Sequence, residues 1–85
     1  MKATNRAKIG DTVKCGFLNF VLVGHVNNGR LVRNGTGTKF YWQINYGGLH
    51  EVNLDADVTA LTTINNAAQF DPVVASYLNN LRRHA

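Results

Sequence analysis

The sequence predicts a mainly β domain of five or six short antiparallel strands with one α-helix at its C-terminal end. Three observations carry this. Short runs rich in Val, Ile, Phe and Tyr alternate with Gly and Asn clusters. Asn-Gly dipeptides, favoured in tight hairpin turns, stand at Asn28-Gly29 and Asn34-Gly35. The single proline, Pro72, divides this region from a segment with helical periodicity.

The first run is Ile9 to Cys15, where Ile9, Val13 and Cys15 share a parity and Gly10-Asp11 allows an early bend. Phe20 to Val26 is the second. Asn28-Gly29 forms a type I′ turn into the return strand Arg30-Leu31-Val32-Arg33, and Asn34-Gly35-Thr36-Gly37 makes the next turn. Thr38 to Asn45 is the fourth strand, with Phe40, Trp42 and Ile44 facing the core and Lys39, Tyr41, Gln43 and Asn45 facing away. Tyr46-Gly47-Gly48 turns into the fifth, Leu49 to Leu54, with Val52 and Leu54 inward. Asp55 to Val58 resembles a short helical turn, and Thr59 to Ile64 reads as a final short strand.

The helix is expected over residues 72–83. Asp71 is a good N-cap because its carboxylate accepts an orphan backbone N–H, and Pro72 sits where its missing donor costs nothing. Val74, Tyr77, Leu78 and Leu81 form one apolar stripe. A helix this short needs that stripe buried, against the sheet or a second copy of the chain.

Ile9-Gly10-Asp11-Thr12-Val13 opening the first strand, the two consecutive hairpins, and the turn at Asp55–Val58 together resemble an SH3-like small barrel. The likeness spans Ile9 to Ile64 and implies a strongly bent sheet closing on itself. It names no family and implies no single function. The expected organisation is a flexible basic arm over residues 1–7, a barrel over 8–64, and a linker with the helix over 65–85. Gln43-Ile44 also resembles part of the Val-Gln-Ile-Tyr pore motif of the type II dihydrofolate reductases. Trp42 and Asn45 flank it here and its strand is the wrong one for that pore, so the activity does not carry over.

Eighty-five residues suffice for one domain with one core. The 45% apolar content is that of a globular protein. No run is long enough to span a membrane, and no apolar segment follows the polar N-terminus as in a signal peptide, so the expectation is a cytoplasmic protein. One cysteine, Cys15, excludes an internal disulfide framework. The net charge of +4 is uneven, about +6 over residues 1–50 and −2 over 51–85. Such asymmetry suits an anionic partner for the first half, although surface charge also serves solubility.

Few motifs carry chemistry. Gly35-Thr36-Gly37-Thr38-Lys39 has the wrong glycine spacing for a phosphate loop and precedes a strand, so it reads as a turn. Cys15, His25 and His50 lack the paired short spacings of zinc sites and any orienting group of a nucleophile pair. Asp55 and Asp57 lack the other oxygen ligands of a calcium loop. No cofactor or metal is expected, and no catalytic set.

The function expected is a non-catalytic binding module, a protein-binding adaptor or an inhibitor of the kind phages and mobile elements encode. The alternative is nucleic-acid association through the basic half. Either would use Lys14, Arg30, Arg33, Lys39 and Tyr41, an exposed aromatic flanked by cations. An enzyme with its site at an oligomer interface is a third class.

Overall fold

The computed structural model describes residues 7–26, 28–45 and 47–83, with the side chain of residue 82 excepted. The strands are β1 (Thr12–Cys15), β2 (Leu18–Val26), β3 (Gly29–Arg33), β4 (Phe40–Ile44) and β5 (Leu49–Glu51). The helices are α1 (Val58–Ala67) and α2 (Pro72–Arg83). The strands form one antiparallel sheet in the order β1-β2-β3-β4-β5, a meander with β1 and β5 at its edges.

Turn chemistry sets the hairpins. Cys15 pairs with Leu18, so the first loop is Gly16-Phe17. Gly16 has φ +67 and Phe17 is not left-handed, the signature of a type II′ turn. At the second hairpin Val26 pairs with Gly29. Gly29 is thus outside the turn, contrary to the expected Asn28-Gly29 turn; residue 27 lies outside the described residues. Gly29 is a strand residue opposite Ile44. The third loop is held by Asn34, whose Oδ1 accepts from the backbone N–H groups of Thr38 (2.9 Å) and Lys39 (3.2 Å). It is an Asx-bonded turn leading into a strand.

The sheet buries both faces. On the first, Val23, Leu31 and Phe40 meet Ala60, Ile64, Ala67, Val74 and Leu78 of the helices. An extra residue in β2, between Leu22 and Gly24 in the register, bulges the strand here. A Cβ on Gly24 would lie 2.6 Å from Thr63 Cγ2, so its absence lets α1 approach the sheet. The second face gathers Val13, Cys15, Phe20, Leu22 and Val32, with Ala7, Tyr41 and Leu49 packed against them. In a flat sheet β1 and β4 would stand about 14 Å apart. Yet the Cys15 thiol donates to Gln43 Oε1 at 3.4 Å. The sheet is therefore strongly curled, with its second face on the inside.

Several expectations are corrected. Residues 59–64 are helix, not a final strand, so the protein has two helices where one was expected. Asp57 caps α1, its Oδ1 accepting from the Ala60 N–H at 2.9 Å. Ala60, Ile64 and Ala67 then fall on one buried stripe. The β-branched residues fit because the Thr62 and Thr63 hydroxyls donate to the carbonyls of Val58 and Thr59, both at 2.9 Å. Ile9 packs on the first face while Val13 and Cys15 face the second, with Gly10 at φ +95 between them. α2 has the expected bounds, and Val74, Tyr77 and Leu78 pack on the sheet of their own chain. Leu81, expected in the same stripe, is exposed. Residues 1–6 of the expected basic arm lie outside the described residues, as does Tyr46; Ala7 packs against the second-face cluster.

Candidate functional site

The five residues expected to form a binding surface do not come together. Strand side chains alternate, so Arg30 and Arg33, three apart on β3, take opposite faces. Both are buried, at 2% and 5% exposure. Arg33 lies on the first face, where its Nε and Nη2 reach the two carboxylate oxygens of Asp71 at 3.0 and 3.3 Å. Its Nη1 donates to the carbonyls of Asn34 and Gly35. Asp71 also caps α2 through the Val73 N–H at 3.0 Å, so one ion pair ties the end of β3 to the start of α2.

Arg30 lies inside the curl. Its Nε donates to Gln43 Oε1 at 2.7 Å and its Nη2 to the Lys14 carbonyl at 3.1 Å. Gln43 Nε2 donates to the Gly47 carbonyl at 3.0 Å. This polar network crosses the second face from β1 to the loop after β4, and it serves the packing of that face. Gln43, expected on the outer surface, is 4% exposed.

Tyr41 is half-buried, its ring edge-on to Phe20 with centroids 5.4 Å apart. Lys39 and Lys14 are exposed. Lys39 stands 3.9 Å from Glu51 across the sheet edge, and Lys14 lies on edge strand β1. The exposed cations among the described residues are Lys8, Lys14, Lys39 and Arg83, on four separate segments.

Cys15 is buried beside Gln43. His25 donates from Nε2 to the Ala7 carbonyl at 3.0 Å, and His50 is exposed on β5. Among the described residues no three His, Cys, Asp or Glu side chains gather as metal ligands would. No described helix is long and apolar enough to cross a membrane.

Two features were missed by reading the strands alone. The first is the tip of the β1–β2 hairpin, where Phe17 is 101% exposed and Leu18 62%. The available signal was an aromatic and an aliphatic residue placed directly after a turn glycine, where polar residues are the rule. Val58 and Phe70 are also exposed, on the helical side of the molecule.

The second feature is a cavity of about 370 Å³ at the end of the sheet, lined by Val26, Asn28, Trp42, Ile44, Asp57 and Thr59. Trp42, expected to face the core, does pack against the first-face cluster. Its indole edge also lines this cavity, where Nε1 donates to Asp57 Oδ2 at 2.6 Å. That bond, with the N–H groups of Ala60 and Thr59, holds the Asp57 carboxyl below the usual carboxylate range, against a smaller opposing effect of burial.

No protein-family model, curated protein or solved structure matches this chain.

Proposed function

We propose that the chain is a non-catalytic binding module, an adaptor or inhibitor that docks on another protein through the tip of its first hairpin. The observation that carries this is the pair Phe17 and Leu18, adjacent, apolar and outside both cores. Large apolar residues on a rigid tight turn suit insertion into a partner's pocket, since aromatic anchors dominate interface energetics and a type II′ turn has little freedom to lose. The curled five-stranded meander supports the finer reading of an SH3-like barrel as the scaffold that presents this tip.

The nucleic-acid alternative would draw on a continuous cationic surface. Arg30 and Arg33, on which both readings relied, are buried in internal bonds; the described cations left exposed stand on four separate segments, whereas the protein-binding reading retains the exposed apolar pair Phe17 and Leu18.

The test is affinity purification from the native host with the wild-type chain and a Phe17→Ser/Leu18→Ser variant, together with an oligonucleotide titration. The reading expects a protein retained by the wild type and lost by the variant, with nucleic-acid binding weak at physiological salt. Submicromolar oligonucleotide binding in about 0.15 M salt would reverse it.

A further inference from the structure

We infer that the solvent face of α1 is an interface between two copies of this chain, packed antiparallel about a two-fold axis at the level of Ile64. Residues 58–70 contain no Asp, Glu, Lys, Arg or His, in a chain of net charge +4. The solvent side of a surface helix ordinarily carries charges, and depletion of charge marks the centre of interfaces. Here that side carries Thr62, Asn65, Asn66 and Gln69, all exposed. Two large apolar residues stand at its ends, Val58 at 77% and Phe70 at 67% exposure. The opposite stripe of Ala60, Ile64 and Ala67 lies in the core. α2, the helix expected to meet a second copy, packs Val74, Tyr77 and Leu78 on its own sheet.

The chemistry of the face selects a second copy as its occupant. Identical surfaces bearing one sign of charge repel, whereas amides and hydroxyls are each donor and acceptor and can bond to their own image. The side chains of Asn65, Asn66 and Gln69 make no hydrogen bond among the described residues. The apolar ends are self-complementary as well. Antiparallel pairing centred on Ile64 sets position 62 of one copy against position 66 of the other. It also brings Val58 of each copy to the same end of the contact as Phe70 of the other. A contact of this kind closes as a dimer and does not propagate. The ten residues of α1 span about 15 Å, so the contact is small and the dimer weak. Between Leu18 and Gly24, where Thr63 of α1 meets the sheet, β2 covers about 20 Å. The hairpin tips therefore stay clear of the contact, and the dimer presents two of them to a partner. That bivalency rests on the docking reading above; the dimer does not.

Sedimentation equilibrium of the full chain from about 10 μM to 1 mM tests the interface, and a reversible monomer–dimer equilibrium is expected. Thr62→Lys/Asn66→Lys and Thr62→Glu/Asn66→Glu each set like charges face to face and should stay monomeric throughout. Both positions are exposed, so helical circular dichroism should be retained. An equimolar mixture of the two variants should restore the dimer, because opposite charges then meet. Should either variant unfold, Phe70→Ser, which lies outside α1, should weaken the dimer at least about tenfold. A monomer at every concentration, a dimer that the folded variants leave intact, or a mixture that stays monomeric would overturn the inference. So would a monomeric chain whose charged variants lose a host protein, which would assign the face to that protein. Phe17→Ser/Leu18→Ser should remain dimeric. If the wild type is monomeric while that variant loses its partner, the dimer falls and the docking reading stands. If the dimer behaves as expected while that variant keeps its partner, the reverse holds.

Discussion

A guanidinium that is 5% exposed needs its hydrogen-bond partners built into the fold, and Arg33 has them in Asp71 and two backbone carbonyls. Removing one member leaves the other charge buried and uncompensated. Arg33→Met and Asp71→Ala should therefore each lower stability by about 3–5 kcal/mol in urea unfolding, and the double variant by less than the sum. That Arg30 and Arg33 take opposite faces was legible in the sequence, because strand side chains alternate. That both faces are buried was not, since it depends on the sheet curling. Asp57 makes a second prediction. Its carboxyl is depressed, chiefly by the Trp42 indole N–H. The stability it contributes is thus fully present above the unfolded-state value of about 3.9 and is lost as pH falls through the folded-state value. The gap in melting temperature between wild type and Asp57→Asn should be widest at neutral pH and close in acid. A gap that is constant with pH would show that the charge is not what stabilises.

At the scale of elements, the two helices were unequally visible. α2 announced itself through Asp71, Pro72 and the spacing of Val74, Tyr77 and Leu78, which are local signals. α1 was hidden because Val58, Thr59, Thr62, Thr63 and Ile64 are β-branched, and their preference for strands is overridden by packing. The evidence in its favour was the Asp57 cap and the 60, 64, 67 spacing of Ala60, Ile64 and Ala67. Truncation after Phe70 removes the Asp71 carboxylate together with Val74 and Leu78, each worth about 1.5–3 kcal/mol of burial. The truncated chain should lose cooperative thermal unfolding. Retention of the full-length melting temperature would mean that α2 does not hold the first-face core. A further prediction concerns Tyr77, whose ring packs edge-on to Phe40 at 4.9 Å. Its hydroxyl is raised above the usual tyrosine value, first by burial and then by Asp55. The associated stability is present below about pH 10 and lost as pH rises through the folded-state value. Tyr77→Phe should accordingly flatten the alkaline loss of stability measured by urea unfolding between neutral pH and the alkaline range.

Over the whole molecule, the helices cover one face of the sheet and the curl encloses the other, so the hairpin tip belongs to neither core. Phe17→Ser/Leu18→Ser should leave the unfolding free energy within about 1 kcal/mol of the wild type, as surface changes do, while abolishing partner retention. A strongly destabilised variant would show instead that the tip packs internally. Salt provides a second discriminator. Retention anchored by Phe17 should survive moderate salt, whereas contacts made chiefly to phosphates would weaken steeply and linearly on a log–log plot.

By itself the sequence determined the mainly β character, the meander of short strands, the limits of α2 and the inward parity of Phe40 and Trp42. These follow from turn residues, capping and periodicity, all of which act over a few neighbours. Only the tertiary structure decided which polar residues are buried, because the Arg33–Asp71 pair joins positions 38 residues apart and the Cys15–Gln43 contact positions 28 apart. It alone placed the Trp42 indole on the Asp57 carboxylate, since that contact depends on how α1 docks against the end of the sheet. Long-range contacts of this kind reflect the sum of many packing choices, and no local pattern of residues encodes them.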